Sequence, residues 1–353
     1  MTLMKTDLKQ LSKAELTGFL EHLGQSPYRA NQVINWLYKK LAVSFDEMTD
    51  LSKGLREGLR ATAAVSNLDL LQTQVSKDGT RKFLFALKDG ETIESVLMPH
   101  SKGGEGFTLC ISSQAGCATG CMFCMTGRLG LKRNLKACEI VDQVIAVKRY
   151  IETGAYETGH SITNIVFMGM GEPFNNFNEV VRALRNITGL MGFSKRRITV
   201  STAGIIPGIR KLADAGPDIN LAVSLNATTD RIRNGIMPVN KKYPLNKLIK
   251  ACKEFPLSPN RRITFEYVML DKINDSAQDA HRLVKLLKGI RSKVNLIPYN
   301  PVHKLITFNR PSENKIPEFQ KILRKAGLTV IIRQSKGSDI SAACGQLKAS
   351  YGH

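Results

Sequence analysis

Phe107-Thr-Leu-Cys110-Ile-Ser-Ser-Gln-Ala-Gly-Cys117-Ala-Thr-Gly-Cys121-Met-Phe-Cys124 is the stretch that decides how this chain is read. Its opening, FTLCISS, is a short apolar run of the kind that makes a buried strand. Its continuation sets three cysteines on one loop at the spacing Cys-x-x-x-Cys-x-x-Cys. Three thiolates leave a tetrahedral zinc site one ligand short. They suit a cubane iron–sulfur cluster, in which cysteine sulfur holds three irons and the fourth stays open to an exogenous ligand. Structural zinc, or three buried apolar cysteines, is the bland alternative, and the position of the loop directly after a strand weighs against it.

Outward from this stretch the strand pattern recurs as ITNIVFM, RITVST, INLAVSL, RITFEYVML, VNLIPYN and LTVIIR. Amphipathic stretches near 137–152, 177–190, 205–214, 276–288 and 315–326 alternate with these runs. Strand and helix in turn at this spacing predict an α/β fold: a parallel sheet with right-handed crossovers, doubly wound or curled toward a barrel. Such sheets hold their active sites at the carboxyl ends of the strands. The informative residues fall there: Cys117, then Gly169-Met170-Gly171-Glu172, Ser201, Ser224-Leu225-Asn226 and Asn300.

Three segments follow from the patterning. Residues 1–60 carry apolar positions at helical spacing, among them Val33, Ile34, Leu37 and Leu41, and read as a small helical domain. Residues 61–106 hold short strands punctuated by Lys77-Asp78-Gly79 and Lys88-Asp89-Gly90, which is hairpin chemistry, and read as an antiparallel connector. Residues 107–353 form the α/β core.

The 353 residues carry 51 Lys and Arg against 30 Asp and Glu, a net charge of +21 that calls for a polyanionic partner, nucleic acid or an anionic membrane. The longest apolar runs, 164–170 and 219–225, are far too short to span a bilayer, and the first residues lack a signal-peptide core, so a cytoplasmic protein is expected. Seven unevenly spaced cysteines argue for metal or redox chemistry rather than a disulfide framework. Basic pairs such as Lys39-Lys40, Lys132-Arg133, Lys241-Lys242 and Arg324-Lys325, with the run Lys195-Arg196-Arg197, are spread along the chain. The helical domain, with Tyr28, Arg29, Trp36 and Tyr38, is a candidate RNA grip, although Trp36 suits a core equally well.

Gly169–Glu172 brings glycines, which let backbone approach a ligand, next to a carboxylate able to pair with an ammonium group. Pro173 and Phe174 follow, so the GxGxxG fingerprint of a Rossmann methyltransferase is absent. The cysteine spacing, with Phe123 before the third cysteine, resembles the radical S-adenosylmethionine superfamily, where the cofactor chelates the open iron. The set GETIES, SSQxGCxxxCxFC, MGMGEP, STAG, EYVML, NLIPYNP and AACGQL spans nearly the whole chain and resembles the adenine-C2 RNA methyltransferases acting on 23S rRNA and tRNA. Their C8-methylating relatives use the same chemistry, but Pro173 and EYVML look more like the C2 branch. A non-catalytic RNA protein holding zinc through Cys110, Cys117, Cys121 and Cys124 is the reading from another class.

The resemblance implies a partial (β/α)6 barrel, one [4Fe–4S] cluster on Cys117, Cys121 and Cys124, and S-adenosylmethionine held by Gly171, Glu172, Ser201, Ser224, Leu225, Asn226 and Asn300. Asn226 stands where the family commonly has histidine, and Ser341 where aspartate is frequent. The resemblance also implies that Cys344 carries the methyl group as S-methylcysteine, that Glu94 accepts the C2 proton, with Cys110 a competing base, and that Cys110 resolves a protein–RNA adduct through a transient disulfide with Cys344. It implies a flavodoxin-like electron donor and a monomer. Read from the residues alone, Glu94 is an exposed strand carboxylate, Cys110 a core cysteine on a strand and Cys344 a small buried residue. Cys138 and Cys252 read as core.

Overall fold

A computed structural model describes residues 5–100, 105–155, 159–215, 218–301 and 308–347. Its centre is one ten-stranded sheet whose spatial order repeats the chain order from end to end. The strands are β1 (Asp69–Val75), β2 (Arg81–Ala86), β3 (Thr92–Pro99), β4 (Phe107–Cys110), β5 (Ile162–Phe167), β6 (Ile198–Thr202), β7 (Asn220–Ser224), β8 (Ile263–Met269), β9 (Ser292–Pro298) and β10 (Thr329–Ile332). From β4 to β10 every neighbouring pair is parallel. Helices make the crossovers, Ala137–Tyr150, Phe177–Gly189, Ile206–Ala215, Leu245–Glu254, Ala277–Leu287 and Lys315–Lys325, giving six β/α units and a closing strand. Adding each unit to the same edge keeps all crossovers on one face, which is the winding of a barrel rather than of a doubly wound sheet.

Strands β1, β2 and β3 pair antiparallel with one another, and β3 pairs with β4, Val96 opposite Cys110, so they prolong the core sheet. Gly79 and Gly90, at φ +82° and +86°, make the two turns at the Lys-Asp-Gly triplets. Burial along β8 and β9 is nearly continuous because both faces are covered, the inner by side chains of the barrel and the outer by helices.

Helices Lys13–His22, Arg29–Tyr38 and Lys53–Thr62 form the N-terminal unit, the first of them opened by a Ser12–Glu15 capping box. It packs on the core through polar contacts as well as apolar ones. Lys9, fully buried, donates to the Ser66 carbonyl and to the Asp142 carboxylate on helix Ala137–Tyr150. Burial pushes Asp142 up to about 6 against the pull of the Lys9 ammonium. From the same helix, Arg149 donates to the carbonyls of Leu41 and Ala42. Lys9→Met should leave the Asp142 carboxylate buried without a counter-ion and cost about 3–5 kcal/mol, read as a lower urea midpoint. Lys9→Met with Asp142→Leu should recover most of that loss. Among the described residues, no helix is long and apolar enough to cross a membrane.

Candidate active site

The cysteine loop leaves β4 by a bend in which Ser112, Ser113 and Gln114 lace the neighbouring strand end. The Ser112 hydroxyl accepts from the Met170 amide at 2.9 Å, and the Met170 carbonyl accepts from the Ser113 amide at 2.8 Å. The Gln114 amide oxygen accepts from the Glu172 backbone at 2.8 Å. This close approach requires glycine: at Gly171, φ +100°, a Cβ would lie 2.6 Å from that of Gln114.

One cavity of about 160 Å³ opens at the carboxyl ends of the strands. Cys117, Cys121 and Cys124 line it, and so do Gly171, Glu172, Ser201, Ser224, Asn226, Asn300 and Cys344. Leu225 does not; its side chain is in the hydrophobic core, and its amide donates to the Glu266 carbonyl at 3.0 Å. The Asn226 side chain is already engaged, its oxygen accepting from the Val268 amide at 2.8 Å and its nitrogen donating to the Met237 sulfur at 3.3 Å.

Burial pushes the Cys117 thiol up to about 11 and that of Cys121 to about 12, and raises Cys124. Thr119 partly offsets this, its hydroxyl 3.0 Å from the Cys117 sulfur and 3.6 Å from that of Cys121. Thiols so desolvated need strong positive charge to become thiolates, which bound iron supplies. Three soft sulfur donors from one short loop lining one cavity are the donor set a cubane takes, with its fourth iron facing the rest of the cavity, so the residues fit the cluster. Glu172, pushed up to about 7 by burial, accepts from the amides of Ala203 at 2.6 Å and Phe174 at 3.0 Å and from the Thr202 side chain, all of which oppose the rise.

A second, smaller cavity of about 40 Å³ adjoins the first, sharing Met168, Ile297, Asn300, Arg333 and Cys344 in its wall. Cys110 lines this one, which separates it from the three clustered cysteines and removes it from the zinc set considered above. Both Cys110 and Cys344 are free thiols. Cys110 is buried, which pushes it up to about 12, with the neighbouring Cys344 adding to the rise. Cys344 is solvent-exposed rather than buried, although the protein surrounding its sulfur still raises it and the Arg333 guanidinium opposes the rise. Glu94 departs from the exposed strand position that its sequence suggests: it is 3 % exposed and ion-paired with Lys82 at 3.2 Å. The Lys82 ammonium lies 3.5 Å from the Ser341 carbonyl, so the pair sits behind the segment that carries Cys344. Cys138 and Cys252 are buried in helices.

Several residues of the site escaped sequence reading. Glu266 and Arg333 line the main cavity, the first from the middle of β8, where it receives a hydrogen bond from Asn295 at 2.9 Å, and the second just past the carboxyl end of β10, a position that was the available signal for it. Arg233, fully buried, donates to the carbonyls of Ala203, Ser224 and Leu225 and braces the ends of two strands, β6 and β7. Trp36 is half-buried and donates from its ring nitrogen to Asp50 at 2.5 Å, while Tyr28 is exposed beneath the Arg29 guanidinium.

Residues 6–65 match the ribosomal RNA large subunit methyltransferase N-terminal domain, and residues 111–284 match the radical SAM superfamily. The chain is 51% identical over 346 residues to the dual-specificity RNA methyltransferase RlmN of Geotalea uraniireducens, covering 98% of this chain and 97% of that one. With the protein of the same description from Geobacter sulfurreducens it shares 52% identity over 345 residues, 97% of this chain and 92% of the other. The crystal structure of a radical SAM methyltransferase from Sphaerobacter thermophilus superimposes with a TM-score of 0.91 at 44% identity, covering 98% of this chain and all of that one.

Proposed function

Since the chain belongs to the RlmN family of radical SAM dual-specificity RNA methyltransferases, we propose that it methylates C2 of adenosine in both 23S rRNA and tRNA, in the cytoplasm and as a monomer. The observation that carries this reading is that Cys344 lines the same cavity as Cys117, Cys121 and Cys124. A methyl carrier and a radical source are thereby brought to one point.

C2 of adenine is an electron-poor amidine carbon with no lone pair to attack a sulfonium methyl group, so the carbon has to arrive as a radical. When bound, the [4Fe–4S] cluster supplies the electron that cleaves S-adenosylmethionine to a 5′-deoxyadenosyl radical. The chain's own residues divide the remaining work. Cys344 takes a methyl group through its sulfur from a first S-adenosylmethionine, loses one hydrogen atom from that methyl group, and presents the carbon radical to C2. Glu94 accepts the C2 proton, its carboxylate held beside Lys82 behind the Cys344 segment. With that proton one electron would leave for the oxidised cluster, restoring an aromatic thioether; Cys110, as a thiolate, then attacks the Cys344 sulfur, the carbon–sulfur bond breaks, the released carbon takes up a proton to complete the methyl group, and the two cysteines are left as a disulfide for an outside reductant to open. Gly171, Glu172, Ser201, Ser224, Asn226 and Asn300 form the cofactor wall, and Leu225 contributes through the packing that positions its neighbours. The target adenosine has to leave its stack for C2 to reach Cys344, and basic residues away from the cysteine-loop face supply phosphate contacts whose affinity falls steeply with salt.

The test is anaerobic turnover of the cluster-loaded enzyme on 23S rRNA fragments and on tRNA, scoring 2-methyladenosine and 5′-deoxyadenosine together. Formation of 8-methyladenosine in place of the C2 isomer would overturn the assignment. Cys110→Ala should accumulate a covalent protein–RNA adduct, visible as a shifted band on denaturing gels that disappears on nuclease treatment.

A further inference from the structure

Three of the nine large apolar side chains exposed among the described residues lie close together in sequence: Met122, Leu129 and Leu131. The other six are on the N-terminal unit or on the edge strands β1 and β10. All three belong to the loop that carries the cluster cysteines. The Met122 amide donates to the Ile236 carbonyl at 3.0 Å, and its carbonyl accepts from Arg128 Nε at 3.3 Å. Leu129 and Leu131 flank Gly130, whose carbonyl accepts the Cys117 amide at 2.8 Å. Cys121, Phe123 and Cys124 face the cavity, whereas Met122 between them is turned outward. The rim is basic. Arg128 and Lys132 are exposed, with no ion-pair partner among the described residues, and exposed Lys241 and Lys242 follow Pro238, which abuts Gly120.

We propose that this face docks a small acidic one-electron carrier protein, which delivers the electron to the cluster across Met122. The inference rests on the radical chemistry assigned above. Each delivery oxidises the carrier by one electron and reduces the cluster by one, and no bond forms or breaks at the interface. An aliphatic centre inside a cationic rim is the composition of a transient protein contact, and electron-transfer encounters are small and steered by charge. Bases would stack on aromatic faces, and the exposed apolar groups of this patch are aliphatic. RNA has to reach the cavity lined by Cys344, and Met122 is exposed outside that cavity's wall, so a carrier on Met122 need not occupy the cavity.

Stopped-flow reduction of the cluster-loaded enzyme under anaerobic conditions tests this, with a purified acidic flavodoxin in its hydroquinone form as the probe. In Arg128→Glu/Lys132→Glu the second-order rate of cluster reduction should fall by about tenfold or more at low salt. Reduction by dithionite and affinity for a tRNA should stay within about twofold of wild type. Leu131→Ser should slow the flavodoxin reaction without changing its salt slope. An unchanged flavodoxin rate in the charge-reversed variant overturns the proposal, and so does lost tRNA affinity beside an unchanged flavodoxin rate, which would make the face an RNA contact. Iron and sulfide content reports folding; should reversal lower it, Arg128→Gln/Lys132→Gln is judged by the same rates. Methylation driven by dithionite separates the two levels: its absence, with flavodoxin reduction intact, sinks the assigned reaction and leaves the docking face standing.

Discussion

Cys344→Ala is expected to retain the iron and sulfide of the wild-type enzyme and to lose methylated RNA entirely, a fall on the order of a thousandfold or more. The expectation follows from the cavity walls. Apart from the three cluster cysteines, Cys344 is the one cysteine lining the main cavity among the described residues, and Cys110 reaches only the adjoining one. No neighbouring sulfur can replace it as carrier. Gly345 follows at φ +84°, and the Gly345 carbonyl accepts the Met125 amide at 2.8 Å, so the backbone that presents Cys344 is fixed by contacts the variant leaves alone. Tandem mass spectrometry of the wild-type chain should find S-methylation at position 344. Turnover retained in Cys344→Ala, or methylation of another cysteine, would refute the assignment.

The second large effect concerns the cluster ligands. Cys117→Ala, Cys121→Ala and Cys124→Ala should each purify with little iron and sulfide and form no 5′-deoxyadenosine, while tRNA affinity stays near wild type. Each variant removes one of three thiolates whose polar side-chain neighbours are hydroxyls, Thr119 beside Cys117 and Cys121 and Thr126 beside Cys124, and a hydroxyl is a poor donor to iron compared with sulfur. Stability should change little, because the unmetallated thiols make few bonds within the fold. Full cluster occupancy in any of the three would mean that the ligand set is misassigned.

What the sequence made legible was local or periodic. Cys117, Cys121 and Cys124 are separated by fixed short spacings, and the alternation of apolar runs with amphipathic helices depends only on which face is buried. Residues brought together from distant parts of the chain were illegible. Lys9 and Asp142 meet across 133 positions, and nothing local at Lys9 says that an ammonium will be fully buried there. Glu94 shows the limit of period-two reasoning: a charged residue on a hairpin strand reads as solvent-facing, but β3 continues into the barrel sheet, and the inner face of that sheet lies under the Cys344 segment. Cys344 fails in the opposite direction, because a small residue among alanines reads as packed and instead opens on a cavity. Arg333 follows the end of β10, where the carboxyl-end rule could have pointed to it, whereas Glu266 sits in the middle of β8 and gave no such signal.

Because the sheet is wound in chain order, it also has an order of manufacture. A ribosome releases β1 to β10 one after another, and each new β/α unit finds its docking edge already formed by the unit before it. The cysteine loop emerges after β4, early in this sequence, and Cys344 emerges after all ten strands. The strand that leads into the cysteine loop is thus made long before Cys344, the residue proposed to hand carbon to RNA, is added to the chain. A product of translation that stopped short of Cys344 would have all three cysteines proposed as cluster ligands and would lack the proposed carrier.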